Sequence, residues 1–322
     1  MKQALLAALV AAALLTPLAA LSFGTINGLG QHAEHEHITR AGLAQAQLGP
    51  RTLDLLAGRN GSFGAVGAPD NPLRGLMSEK AAHCDGGDTL DVPGYPQSAA
   101  AAQADLQLCR TWMRDNLSAA VESAGRLVSA DGQINAREAS ISPACVFNGR
   151  PGRAKCEVLD HLGLALHASE DFYAHSNWVD QPAPGPTGPT NPPGLNNRGR
   201  APWIDPRIDA PFPGGLITGC YDGFPESRYC TYDHGQLRVR HAVLNKDEGV
   251  IDISDPSHPH IAVGTTARGR VNSNFEHAVQ AAIDDTADKW AWFEGALVAR
   301  YGDSRSRRIL CLVRSDDARA CR

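Results

Sequence analysis

The stretch His161-Leu-Gly-Leu-Ala-Leu-His167-Ala-Ser-Glu-Asp171-Phe-Tyr-Ala-His175-Ser-Asn-Trp178 decides how this chain is read. It closes a segment from Ala154 to about Trp178 in which Leu159, Leu162, Leu166 and Phe172 recur at helical spacing, so an α-helix is predicted there. His167, Asp171 and His175 stand at i, i+4 and i+8, each about 6 Å further along the axis and about 40° further round it. They share one face. His167 and Asp171 can grip one metal ion at ~2 Å, but His175 lies about 12 Å along the axis from His167. The spacing therefore predicts at least two cations lying along the helix, with Asp171 placed to bridge them. A helix this apolar is buried, and imidazole or carboxylate groups buried without partners cost several kcal/mol.

Three further segments read as helix: Glu34 to about Gln47, continued by Thr52–Leu56 after Pro50; Gln97 to Val128, rich in Ala, Leu, Arg and Glu; and Asn274 to Tyr301, with Phe275, Val279, Ile283, Trp290 and Phe293 on recurring faces. Little reads as strand, and the expected class is mainly α. From Gln181 to Gly215, 16 of 35 residues are Gly or Pro, which excludes helix interior and central strand and predicts a long surface excursion, either a lid or a plain insert. No repeat and no clean linker divides residues 21–322, so a single helical domain is expected.

The chain has 322 residues, 43% apolar and 20% charged, with a formal net charge of −5. That balance excludes a disordered chain and a span-rich membrane protein, and it provides no bulk attraction for polyanions. Residues 1–20 read as an export signal: Lys2, an apolar run from Ala4 to Leu15, then Pro17-Leu18-Ala19-Ala20. Secretion or a periplasmic destination is expected. Eight cysteines fall in local pairs, 84 with 109, 145 with 156, 220 with 230 and 311 with 321, which in an exported chain reads as disulfides. Ser129–Glu138 echoes part of a calcium loop, but the first ligand position would be Leu127, so it reads as a turn.

The run LGLALHASEDFYAHSNWV resembles the signature of the heterokaryon-incompatibility protein C family and its bacterial relatives, which belong with the zinc-dependent phospholipases C and the fungal zinc nucleases. The resemblance implies an all-α bundle of the phospholipase C type and a zinc cluster that hydrolyses phosphodiesters. It implies the metal ligands His35, Asp70, His83, His167, Asp171, His175, His241 and Asp247. His32 and His37 are rivals to His35, and His234 is an alternative to His241. Asp171 is the implied bridge, and Asp70 a ligand or the general base. Two features depart from the family pattern. Its His-to-carboxylate spacing of four would fall on Asn245, so the carboxylate is assigned to Asp247 two residues on. Cleavage near Ala20 leaves Leu21, where the prototype enzymes use an N-terminal Trp to bind a third zinc, so two or three Zn²⁺ ions are expected.

A cluster of two or three cations would neutralise a phosphodiester and activate water. The expected substrate is a phospholipid or another phosphodiester, met at a membrane surface, with no stable nucleic-acid complex. A secreted single-strand nuclease is the alternative enzyme, for which Arg198, Arg200, Arg207, Trp203 and Phe212 could supply cations and stacking faces. A non-catalytic, zinc-stabilised interaction protein is the other.

Overall fold

The computed structural model describes residues 23–28, 30–221, 230 and 237–321. The expected signal segment and His234 lie outside the described residues. Seven α-helices occur among those described: α1 (Glu34–Gly42), α2 (Pro50–Ala57), α3 (Lys80–His83), α4 (Ala99–Ala124), α5 (Ala154–His175), α6 (His241–Leu244) and α7 (Asn274–Arg314). Two minimal antiparallel hairpins accompany them, Asn27–Gly28 with Gln31–His32 and Ile251–Asp252 with His260–Ile261. The chain is mainly helical.

Helix α5 runs through the centre. Its apolar residues point in every direction rather than along one stripe, and nearly all of its side chains are buried, as expected of a helix surrounded by others. One hydrophobic cluster wraps its first half, with Leu159 and Leu162 against Leu117 of α4 and Phe293 of α7. A second wraps its last half, with Phe172 and Tyr173 against Ile38 of α1 and Phe275 of α7. Glu138 caps its start by accepting a hydrogen bond from the Ala154 amide at 2.6 Å, the charge that a helix N-terminus favours. Within Ser129–Glu138, Ser129 and Asp131 are satisfied by local hydrogen bonds, as in a turn.

Several element limits differ from those expected. Residues 43–47 leave the first helix, and Pro50 opens the next at its first turn, where its missing N–H costs nothing. The last helix continues thirteen residues past Tyr301, through a kink at Gly302, whose φ of 73° suits glycine. The Pro/Gly-rich stretch is packed rather than loose: Leu195, Asn196 and Asn197 donate to the carbonyls of Asn177, Asp180 and Trp178, and Trp203 is buried. The cysteines pair 84–109, 145–156, 220–230 and 311–321. No helix among the described residues is long and apolar enough to cross a membrane.

Gly163 marks a close backbone approach in the centre of the fold. A Cβ there would stand 2.4–2.6 Å from the carbonyl carbon, oxygen and Cβ of Ala65, just before the 3₁₀ turn Ala68–Asp70. Gly163→Ala gains about 1 kcal/mol of helix propensity but overpacks this contact, which costs about 1–3 kcal/mol. The variant should show a lower urea midpoint; an equal or higher midpoint would refute the close packing.

Candidate metal centre

The last two turns of α5 carry His167, Asp171 and His175, all fully buried. Four other segments converge on them. Helix α1 brings His35, the turn Ala68–Asp70 brings Asp70, α3 ends on His83, and α6 begins with His241, from which the chain runs on to Asp247. All eight sequence-expected ligands therefore lie in one cluster. His32 is exposed on its hairpin and His37 is half-buried; neither belongs to it.

Asp171 organises the centre. Its Oδ2 lies 2.9 Å from His83 Nδ1 and 3.0 Å from His167 Nε2, and those two nitrogens are 3.0 Å apart. Its Oδ1 faces the other way, 3.1 Å from His35 Nε2 and 3.9 Å from His175 Nε2. The two oxygens thus address separate imidazole pairs, which is the bridging geometry. Asp70 Oδ1 stands back at 3.8 and 3.9 Å from His83 and His167. His175 and His241 lie between two carboxylates: Asp85 faces their Nδ1 atoms at 3.4 and 3.3 Å, and Asp247 faces their Nε2 atoms at 3.2 and 3.3 Å. Ligands at about 2.0–2.1 Å around a tetrahedral zinc are about 3.3 Å apart. The observed separations suit such ions.

The hydrogen bonds decide which nitrogen each ring turns inward. His35 donates from Nδ1 to Glu170 Oε2 at 2.6 Å, His83 from Nε2 to the Leu76 carbonyl at 3.2 Å, and His175 from Nδ1 to the His83 carbonyl at 3.1 Å. Each leaves its other nitrogen for a cation, as ligating histidines do. On this tautomer Asp85 holds the outer Nδ1–H groups of His175 and His241, and Asp247 shares the inner side. Among the described residues, His167 Nδ1 and Asp85 Oδ2 are buried with no hydrogen-bond partner. Buried polar atoms are seldom left so, and the donor set of imidazole and carboxylate fits zinc.

The electrostatics show what fills the centre when no cation does. Burial alone would lower the histidines, but hydrogen bonds and charge from Asp171 and Glu170 raise His35 to about 10, and Asp85 and Asp247 raise His241 to about 9 despite the opposing charge of His175. His175 is raised well above its ordinary value by Asp247, Asp171 and Asp85. Burial alone would raise the carboxylates, yet His167 and His175 hold Asp171 well below the usual range, and His175 and His241 hold Asp247 down at about 2. Protons then link the histidines and carboxylates of the cluster.

Two contributors escaped the sequence reading. Asp85 lies two residues past His83, across a left-handed turn at Cys84 (φ 55°) that reverses the chain and is clamped by Cys84–Cys109. A liganding residue type so close to His83 was the available signal. Glu170 sits one position off the ligand stripe, where helical periodicity points it away from His167, and it meets His35, Thr39 and Thr286 instead. Asn245, at the family's carboxylate position, accepts a hydrogen bond from the Asp247 amide and so sets that residue's orientation. The basic and aromatic residues considered for nucleic-acid contact are engaged elsewhere. Arg207 and Arg200 pair with Asp288, Arg198 donates to the Val179 carbonyl, and Trp203 is buried beside Phe172.

Comparison of the chain with protein-family models, curated proteins and solved structures finds no match.

Three outcomes are expected. Glu170→Ala should weaken zinc binding about 10–100-fold at its tightest-affected site, read by competition with a chromogenic chelator; unchanged affinity would refute its hold on His35. In the metal-free protein, His35 and His241 have folded-state values above the 6.5 of the unfolded chain, so their stabilisation is complete below pH 6.5 and lost as pH rises through about 9 to 10. The melting temperature of the metal-free protein should fall across that range, and zinc addition at pH 7 should release protons to a weak buffer. Zinc uptake without proton release would contradict this charge arrangement.

Proposed function

We propose that this chain is an exported zinc-dependent phosphodiester hydrolase of the phospholipase C type, acting on phospholipid head groups. The observation that carries the reading is Asp171, whose two oxygens face separate sets of imidazoles inside one buried cluster. Export is supported by the four disulfides, which persist in oxidising compartments.

His83, His167 and Asp171 would hold one zinc, His175, His241 and Asp247 a second, and His35 with Asp171 a third. Bound zinc supplies positive charge to a phosphodiester and acidifies water. The chain's own residues do the rest. Rings locked by Glu170, Asp85 and the Leu76 and His83 carbonyls fix where the donors point, and a rigid donor frame limits reorganisation during reaction. Asp70 is the cluster carboxylate closest to solvent, 9% exposed where the others are 0–1%. Its Oδ1 is the atom placed to take a proton from an attacking water. Trp203 is buried and cannot stack on a base, which favours lipid over single-stranded nucleic acid.

The zinc-loaded protein should release phosphocholine from a phosphatidylcholine analogue. Asp70→Asn should keep its zinc but lose about 10²–10⁴-fold in kcat, the usual contribution of a positioned acid or base. Cleavage of single-stranded DNA without lipid turnover would replace this reading with a nuclease, and bound zinc without turnover of either would make the metal structural.

A further inference from the structure

The cluster approaches solvent at Asp70, and the turn that carries Asp70 forms one wall of a surface cavity of about 500 Å³. Ala68, which opens that turn, and Asn71, just after it, line it. Opposite them stands the loop 145–150, pinned to the start of α5 by Cys145–Cys156. Two apolar tips crown the opening: Leu73 is 91% exposed and Val146 72%. Single exposed aliphatic residues are ordinary. Here two share one rim with the half-buried Phe63 and Phe147 behind them.

The charge of this lining opposes that of the chain. The protein carries −5 overall, yet the cavity is lined by Arg74 and Arg150 and by no acidic residue. Arg150 is exposed and makes no ion pair among the described residues. Arg74 gives one nitrogen to Asp160 at 3.0 Å, while its Nη1 is buried without a hydrogen-bond partner. Exposed aliphatic tips backed by aromatics beside the exposed, unpaired Arg150 match a layer that is apolar inside and anionic at its surface.

We infer that the face bearing Leu73 and Val146 docks onto an anionic phospholipid bilayer, the tips entering the acyl boundary while the exposed Arg150 meets lipid phosphates. The inference rests on the phospholipase reading, because the docked face adjoins the turn that carries Asp70. Asn71 holds the Leu73 tip in place by accepting its amide hydrogen bond at 3.0 Å, so little order needs to be acquired on contact.

The test is sedimentation of the mature zinc-loaded protein, residues 21–322, with sucrose-loaded vesicles of phosphatidylglycerol and phosphatidylcholine. Wild type should pellet with them. Leu73→Glu and Val146→Glu should each reduce partitioning about tenfold or more, and Arg150→Glu should do so at low salt with the loss shrinking as salt rises. Val263→Glu, at an equally exposed position (70%) outside the cavity, should bind as wild type. All of these sites are exposed, so circular dichroism and melting should be unchanged. Failure of wild type to pellet, wild-type binding by Leu73→Glu and Val146→Glu, or equal loss in Val263→Glu would overturn the docking face. A dimer that Leu73→Glu dissolves, with no vesicle binding, would overturn it in favour of a protein contact. Hydrolysis of soluble p-nitrophenyl phosphorylcholine separates the two ideas. Its absence in a vesicle-binding wild type removes the phospholipase reading and leaves the docking face; its retention in a Leu73→Glu variant that no longer pellets supports both.

Discussion

A single carboxylate in the middle of a buried helix sets the terms for this fold. Asp171 has no access to water, and its ionised form survives there only because four imidazoles surround it. Removing a charge from water costs several kcal/mol unless close partners repay it. The partners come from segments as far apart as residues 35 and 175, so the carboxylate draws α1, α3 and α5 to one point. Hydrophobic burial closes the two ends of α5, while polar demand dictates which segments meet at its C-terminal turns.

The connecting chain is arranged to meet that demand. The carbonyl of His175 accepts from Gly219, and Cys220 exchanges backbone hydrogen bonds with Val239 and His241, so the end of α5 and the start of α6 share one strut. A Cβ at position 219 would lie 2.4 Å from the His241 Cα, which leaves room only for glycine. Lys246 is buried next to Asp247 and spends its ammonium on the Ser176 and Leu244 carbonyls and on Asp180, which Arg268 also holds. This paired charge set locks residues 245–247 against the last turn of α5. The outer hydrogen bonds of His35, His83 and His175 extend the same logic from backbone to ring orientation.

The centre of the site was legible because helical geometry is local: residues four apart on an apolar helix must share a face, so His167, Asp171 and His175 could be placed before any tertiary contact was known. The cysteine pairing was legible for a similar reason, since short separations leave few partners within reach. Asp85 and Glu170 were not, because both depend on tertiary placement. Asp85 reaches its rings through a left-handed turn at a non-glycine residue, and Glu170 lies off the ligand stripe and acts on a histidine 135 positions away. Helix limits failed where propensity yields to packing. The expected first helix stops at Gly42, where α1 abuts α7, and the last helix continues past a glycine that composition marks as a stop.

The central claim is that Asp171 bridges divalent cations held by histidines from separate segments. Crystals of the zinc-loaded protein measured on both sides of the zinc absorption edge test it directly. The account predicts at least two anomalous peaks within coordination distance of Asp171, one at Oδ2 that also touches His83 and His167 and one at Oδ1 that also touches His35. A lone peak on exposed histidines such as His32 or His258, or no peak at Asp171, would contradict it.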